Sequence, residues 1–303
     1  MNKFTSFSKK QLTVLSFWRS DKHDYQSIIC DGAVRSGKTV SMSISFILWS
    51  MFYFNNCSFA ICGKTITSAR RNIIIPLLPL LKDMGFTYKD ILSRNYIDII
   101  YRGHTNRFYI FGGKDESSAS SIQGMTLGGI LFDEVALMPR SFVEQALARC
   151  SITGSKFWFN CNPEHPHHWF YLEWIQKAKQ KNVLYLHFTM NDNPSLCPTV
   201  RKRYQTLYSG AFYDRFVLGK WVAVAGVIYC GFKPDTHIID TLPSSFSEYY
   251  ISCDYGTVNP TSMGLWGKCG EVWYRIREYY YDSKLMGEQK TDQQYYQSLL
   301  SLA

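Results

Sequence analysis

Gly32-Ala33-Val34-Arg35-Ser36-Gly37-Lys38-Thr39 is the stretch that decides the fold. It fits GxxxxGK[ST] at every fixed position, follows the apolar run 27–30 and opens a helical pattern over 39–54. That strand–loop–helix context separates a phosphate-binding loop from an incidental glycine-rich turn. The glycines let backbone N–H groups turn inward onto a phosphate, and the helix N-terminus adds positive potential. Lys38 is placed to reach the β- and γ-phosphates, and the Thr39 hydroxyl to ligate Mg²⁺. Gly32, Arg35, Ser36 and Gly37 complete the cradle, so the chain reads as a nucleotide binder.

The second half of such a site is an acidic residue at the end of a neighbouring buried strand. Gly128-Gly129-Ile130-Leu131-Phe132-Asp133-Glu134 supplies it. Asp133 is expected to hold Mg²⁺ through water, and Glu134 to polarise the attacking water. The intervening strand 107–111 is expected to lie between the two motifs, as in P-loop ATPases with a catalytic glutamate, which favours hydrolysis over binding alone. A third motif follows the next strand, Phe157-Trp158-Phe159-Asn160-Cys161-Asn162-Pro163. A polar side chain at that strand tip lies where it can sense loss of the γ-phosphate. Asn-x-Asn-Pro is equally good turn chemistry.

Short apolar runs at 27–30, 58–62, 107–111, 129–132, 156–159 and 183–188 alternate with longer helical patterns at 39–54, 141–150 and 199–218. This alternation predicts an α/β fold, a mainly parallel sheet with crossover helices. After Trp221 come Gly226, Gly231, Pro234 and Pro243, a linker composition. Runs at 249–253, 261–266 and 271–281 then read as strands at hairpin spacing, and 292–300 as a helix.

The 303 residues argue for two domains or one large domain with an appendage. Lys plus Arg is 33 against 24 Asp plus Glu, a net +9 that points to a polyanionic partner, nucleic acid or an anionic membrane surface. With 46% hydrophobic and 16% aromatic residues there is material for a real core. The nine cysteines form no CxxC pair, which argues against a disulfide framework or zinc site and for a reducing cytosol. No apolar core of signal-peptide length occurs at the N-terminus. The uncharged stretch 40–63 reaches membrane-spanning length, but Ser41, Ser43, Ser45, Ser50, Asn55, Asn56 and Ser58 interrupt it. It reads as a buried helix followed by a buried strand.

Together the three motifs resemble the large terminase subunit of tailed double-stranded DNA bacteriophages, the motor that packages the genome into the capsid. The resemblance runs along nearly the whole chain. Phe7-Ser-Lys-Lys-Gln11 is similar to the family's adenine-contacting segment, which implies Gln11 as the contact. Asn160 resembles its coupling motif, linking hydrolysis to DNA movement. Tyr213-Asp-Arg215-Phe-Val-Leu-Gly219-Lys-Trp221 is similar to the segment closing the ATPase domain, and Tyr249-Tyr-Ile-Ser-Cys253-Asp254-Tyr-Gly256-Thr-Val-Asn259-Pro260-Thr261 to the opening of an RNase H-like nuclease domain. The implied organisation is an ATPase over 1–225, a linker over 226–247 and the start of the nuclease over 248–303. In that nuclease a cluster of carboxylates binds two divalent metals, Mg²⁺ or Mn²⁺, that clamp the attacking and leaving oxygens. Asp254 matches the first carboxylate. Glu271, Glu278 and Asp282 match no family position, and the later carboxylates are expected beyond Ala303, so the nuclease is expected to be incomplete.

The resemblance also implies ATP with Mg²⁺ as the motor's ligands. The implied partners are double-stranded DNA, the portal protein and the small terminase subunit. It further implies a homo-oligomeric ring on the capsid, no membrane, and action in the host bacterial cytoplasm. An arginine on the γ-phosphate is expected in cis or from a neighbouring subunit. Arg35 is the cis candidate, and Arg102, Arg107 and Arg149 are unranked trans candidates. Glu164-His-Pro-His167-His168 reads as a structural loop. Lys177, Lys179, Lys181, Arg70-Arg71 and Arg201-Lys202-Arg203 read as solvated faces or as DNA phosphate contacts. Two other functions share the motifs: a helicase-like nucleic-acid translocase of another family, and a P-loop protein that only switches on nucleotide. The short, strand-rich stretch after Trp221 argues against the first, and Glu134 against the second.

Overall fold

The computed structural model describes residues 6–19, 24–223, 234–257 and 259–303. Met1–Val227 and Ile228–Ala303 are two compact units. The first is built on eight strands: β1 (Ser27–Gly32), β2 (Ser58–Gly63), β3 (Thr87–Ile91), β4 (Tyr96–Tyr101), β5 (His104–Gly112), β6 (Gly129–Asp133), β7 (Lys156–Asn160) and β8 (Val183–Phe188). Their order in the sheet is β3-β4-β5-β2-β6-β7-β1-β8. From β5 to β8 all neighbours are parallel, while β4 and β3 extend one edge antiparallel.

Central strands of a parallel sheet are covered on both faces, so they read as continuous apolar runs. Every residue of β1 and of β6 is buried. Successive side chains still alternate between the two layers. Trp158 meets Phe17, Phe46 and Trp49 on one face. Phe159 stacks on Phe132, 5.2 Å away, on the other.

One expectation is overturned here. The strand between the phosphate loop and the acidic pair is β7; the run 107–111 belongs to β5, which lies on the far side of β2. The site's three motifs therefore sit on adjacent strands β6, β7 and β1. The hairpin β3–β4 was not read from the sequence, because Thr-Tyr-Lys-Asp-Ile at β3 is a largely exposed edge with little apolar signal.

The helices of this unit are α1 (Lys9–Ser16), α2 (Lys38–Tyr53), α3 (Ile66–Ala69), α4 (Ile75–Asp83), α5 (Arg140–Leu147), α6 (Pro198–Leu207) and α7 (Gly210–Phe216). A π-turn, Arg70–Ile74, joins α3 to α4. The pattern expected as one helix over 199–218 is two, because Tyr208 and Ser209 are extended. In α2 the serines are buried and bonded to carbonyls: Ser45 Oγ donates to Val14 O (2.6 Å) and accepts from Trp158 Nε1 (3.2 Å). This explains an uncharged yet polar-studded stretch, since buried hydroxyls need partners. Among the described residues no helix is long and apolar enough to cross a membrane.

The second unit carries β9 (Glu248–Asp254), β10 (Thr261–Cys269) and β11 (Val272–Tyr281) in the antiparallel order β11-β10-β9. Its helices are α8 (Pro234–His237), α9 (Ser283–Met286) and α10 (Asp292–Leu302). Asp282 caps α9, and Thr291 with Gln294 forms a capping box for α10. Tyr295 and Leu302 of α10 join Met263, Leu265 and Tyr281 in a small core. Residues 226–233 of the expected linker, Gly226 and Gly231 included, lie outside the described residues.

Candidate active site at the phosphate-binding loop

The loop between β1 and α2 is shaped by backbone that only special residues accept. Gly32 has φ 121°, and a Cβ there would collide with the Phe188 carbonyl of β8, which accepts from Ala33 N at 2.8 Å. Arg35 (φ 58°) and Gly37 (φ 83°) are left-handed. Lys38 opens α2 and is 5% exposed. Its Nζ donates within the cradle to Gly32 O (3.1 Å), Ala33 O (2.7 Å) and Ser36 Oγ (3.2 Å), and across to Asn162 Oδ1 (3.2 Å). Burial holds its ammonium below the usual lysine range.

Behind Lys38 the three adjacent strands converge. Asn160, at the tip of β7, donates its amide to Thr39 Oγ1 (2.9 Å) and to Asp133 Oδ1 (2.5 Å). Thr39 Oγ1 lies 3.5 Å from the same carboxylate oxygen. Burial raises the Asp133 carboxyl, against hydrogen bonds from Asn160, Asn72 and Thr39 that favour its charged form. Glu134, half-buried and left-handed at φ 57°, is raised first by burial and then by Asp133, with Arg71 and Lys38 opposing. Asn160 Oδ1 is buried with no hydrogen-bond partner among the described residues. A hydroxyl, a carboxylate and an unpaired amide oxygen within one cluster fit a hard divalent cation that keeps several waters. This donor set suits Mg²⁺.

On the nucleoside side, Ser8 caps α1 and Gln11 completes the capping box, its Oε1 accepting from Ser8 N at 2.9 Å. The Gln11 amide nitrogen lies against Gly37, and a cavity of about 110 Å³ is lined by Phe7, Gln11, Gly37, Val40, Ser41 and Asn193. Asn193 Nδ2 donates to Arg35 O (2.8 Å), closing the far wall onto the loop. The structure thus brings Gln11, Gly32, Arg35, Ser36, Gly37, Lys38, Thr39, Asp133, Glu134 and Asn160 to one end of the sheet.

The arginine candidates separate. Arg35 is exposed at the loop apex. Arg107 is bidentate to Asp98 (2.7 and 2.9 Å) and lies over the Tyr96 ring, so it is engaged within its own sheet. Arg102 is exposed at the β4–β5 turn, and Arg149 has a buried Nε without a partner among the described residues. Arg70 is tied to Asp90 at 3.1 Å. Asp254 ends β9 exposed, paired in register with Ser262. No group of three or more His, Cys, Asp or Glu placed to hold a metal occurs among the described residues, at Asp254 or in the histidine loop 164–168.

Asp31, His187, Arg71 and Asn72 escaped sequence reasoning as site residues. Asp31, in β1 beside Gly32, is completely buried. It meets His187 Nδ1 at 2.9 Å and accepts from Trp221 Nε1 at 2.7 Å. His187 Nε2 faces Leu218 O at 3.0 Å, so both ring nitrogens face acceptors and the imidazole is raised, chiefly by its bond to Asp31. The signal available was a charge inside an apolar strand. Arg71 and Asn72, presented by the π-turn, act on Glu134 and Asp133 and carried no motif.

A family described as terminase large subunit, T4likevirus-type, N-terminal, matches residues 29–233. The chain is similar to the large terminase of a thermophilic bacteriophage, with 54% identity over 98% of this chain and 74% of that one, TM-score 0.71. A structure of that terminase in complex with ADP matches at 52% identity over 97% and 73% of the two chains, TM-score 0.71. The large terminase ATPase domain of Thermus phage P74-26 shares the fold, at 16% identity over 69% of this chain and 93% of that one, TM-score 0.53. No curated protein matches the chain.

Proposed function

The chain belongs to the terminase large-subunit family, T4likevirus-type, and from that premise we propose that its first unit hydrolyses ATP to drive double-stranded phage DNA into the capsid. The observation that carries the reading is the cluster of Lys38, Thr39, Asp133 and Asn160 at the ends of three adjacent strands, the first two opening α2, with Glu134 beside it. The related terminase from the thermophilic phage binds ADP, which supports the same ligand here.

Backbone N–H groups of the loop hold the phosphates, and Lys38 turns from its loop carbonyls onto the β- and γ-oxygens. Thr39 and Asp133 would hold Mg²⁺, which would supply positive charge to the phosphate oxygens where charge develops. Glu134 accepts a proton from the attacking water. Its partial burial suits a base, because it raises basicity, with Arg71 and Lys38 opposing that rise. Arg35 supplies positive charge at the γ-phosphate in cis, and Gln11 reads the adenine. Asn160 touches both Thr39 and Asp133, so a change in their ligands moves it directly, which suits a coupling residue.

The second unit is the opening of a metal-dependent nuclease that cuts concatemeric DNA, with Asp254 as its first carboxylate. Portal protein and the small terminase subunit are the motor's partners, in a ring on the capsid, within the host bacterial cytoplasm. Steady-state hydrolysis with and without double-stranded DNA tests this function. Stimulation without strand separation of a forked duplex is expected. Strand separation would favour the helicase-like translocase, and hydrolysis indifferent to DNA would contradict the motor.

A further inference from the structure

Residues 213–221 lie across the back of the phosphate loop and touch it at four places. Phe216 O accepts from Val34 N (3.2 Å), and Val217 packs with Ala33 and Met190. Gly219, at φ 72°, lies so close to Gly32 and Ala33 that a Cβ would collide with both. Trp221 donates to Asp31, the residue before Gly32, and stacks on Tyr171 with ring centres 4.9 Å apart. The same segment grips the loop after β7. Arg215 Nε donates to Pro163 O at 2.6 Å, and the guanidinium pairs with Glu164. Both side chains are mostly buried, at 17% and 29% exposure.

The loop 160–164 is thus held from two sides, by Arg215 and by the Lys38–Asn162 bond. A lysine ammonium has three protons, and Lys38 Nζ already has four acceptors within 3.2 Å. Phosphate oxygens make stronger, charge-assisted bonds than a neutral amide. When Lys38 engages a nucleotide, the bond to Asn162 is the one given up that joins two separate segments. Beyond Asn160, which stays bonded to Thr39 and Asp133, the loop then keeps Arg215 as its side-chain clamp.

We propose that Arg215 is a positioning residue that holds Asn162 against Lys38 and carries the state of the phosphate site into the segment 213–221. This rests on the ATP-binding reading above. Arg215 touches no reacting atom; it sets where the 160–164 loop sits and what moves with it. Trp221, at the far end of the segment, is the natural reporter.

The experiment labels the chain with 5-fluorotryptophan, assigns the Trp221 resonance with Trp221→Phe, and titrates in ATP-γ-S with Mg²⁺. In the parent chain the Trp221 resonance is expected to shift on binding. In Arg215→Ala the nucleotide should bind within about threefold of the parent Kd, while kcat falls at least about tenfold and the Trp221 shift is lost. Arg215→Lys should restore only part of both, because an ammonium cannot reproduce the paired contacts to Pro163 and Glu164. Should Arg215→Ala unfold, as its fluorine spectrum would reveal, Asn162→Ala takes its place and is expected to lose the Trp221 shift with the segment intact. A parental Trp221 shift and kcat in the variant that folds would overturn the proposal, as would a parent whose Trp221 ignores bound nucleotide. Absence of binding in the parent would instead strike the ATP reading itself.

Discussion

β1 and β9 are both short apolar strands that carry an aspartate at or near their C-terminal end and run into a glycine-containing turn. Every residue of β1 is buried, whereas every residue of β9 is exposed. Asp31 meets His187 and Trp221 in the interior, while Asp254 faces solvent at the end of a sheet of three strands. The same local pattern gives an enclosed, partnered carboxylate in the first unit and a solvent-facing one in the second.

Core substitutions should sharpen that contrast most. Trp158 is completely buried among Phe17, Phe46 and Trp49, so Trp158→Ala should cost about 3–5 kcal/mol. Trp273 on β11 is 45% exposed, and its alanine variant should cost less than about 1 kcal/mol. Urea unfolding of the two variants measures both, and equal losses would break the comparison. Next in size is Gly32→Ala, which forces a side chain into φ 121° and against Phe188 O. Strain of about 1–3 kcal/mol should weaken ATP-γ-S binding by roughly five- to hundredfold, read by calorimetry.

A smaller effect comes from the Asp31–His187 pair. The folded His187 pKa lies above its ordinary 6.5, so the pair stabilises fully below that value and loses its contribution as pH rises through the raised one. His187→Gln should flatten the fall in melting temperature across that window; a parental pH slope in the variant would contradict a stabilising Asp31–His187 pair. Smallest of all, Asp254→Ala should leave ATP turnover unchanged where Asp133→Ala abolishes it. Parallel turnover assays of the two variants check this.

The motifs at Gly32–Thr39, Asp133–Glu134 and Asn160 were legible because their strands are short apolar runs that stop at polar chemistry, a local pattern. What was not legible is order in space. Nothing in the sequence places 156–160 beside the phosphate loop and 107–111 beyond β2, since sheet order depends on how crossovers pack. The edge strand Thr87–Ile91 was missed because exposure leaves no apolar alternation to read. Asp31, His187 and Trp221 lie far apart in the chain and meet only when β1, β8 and the segment 213–221 are assembled. Asn162 stood inside a quoted motif, yet its bond to Lys38 needed the fold to bring two loops within 3.2 Å.

The most direct test of the central claim is steady-state ATP hydrolysis by this chain with double-stranded DNA, beside Glu134→Gln. Turnover in the parent is expected to fall by about 10²–10⁴ in the variant, with ATP-γ-S binding kept. Turnover undiminished in Glu134→Gln would contradict that claim.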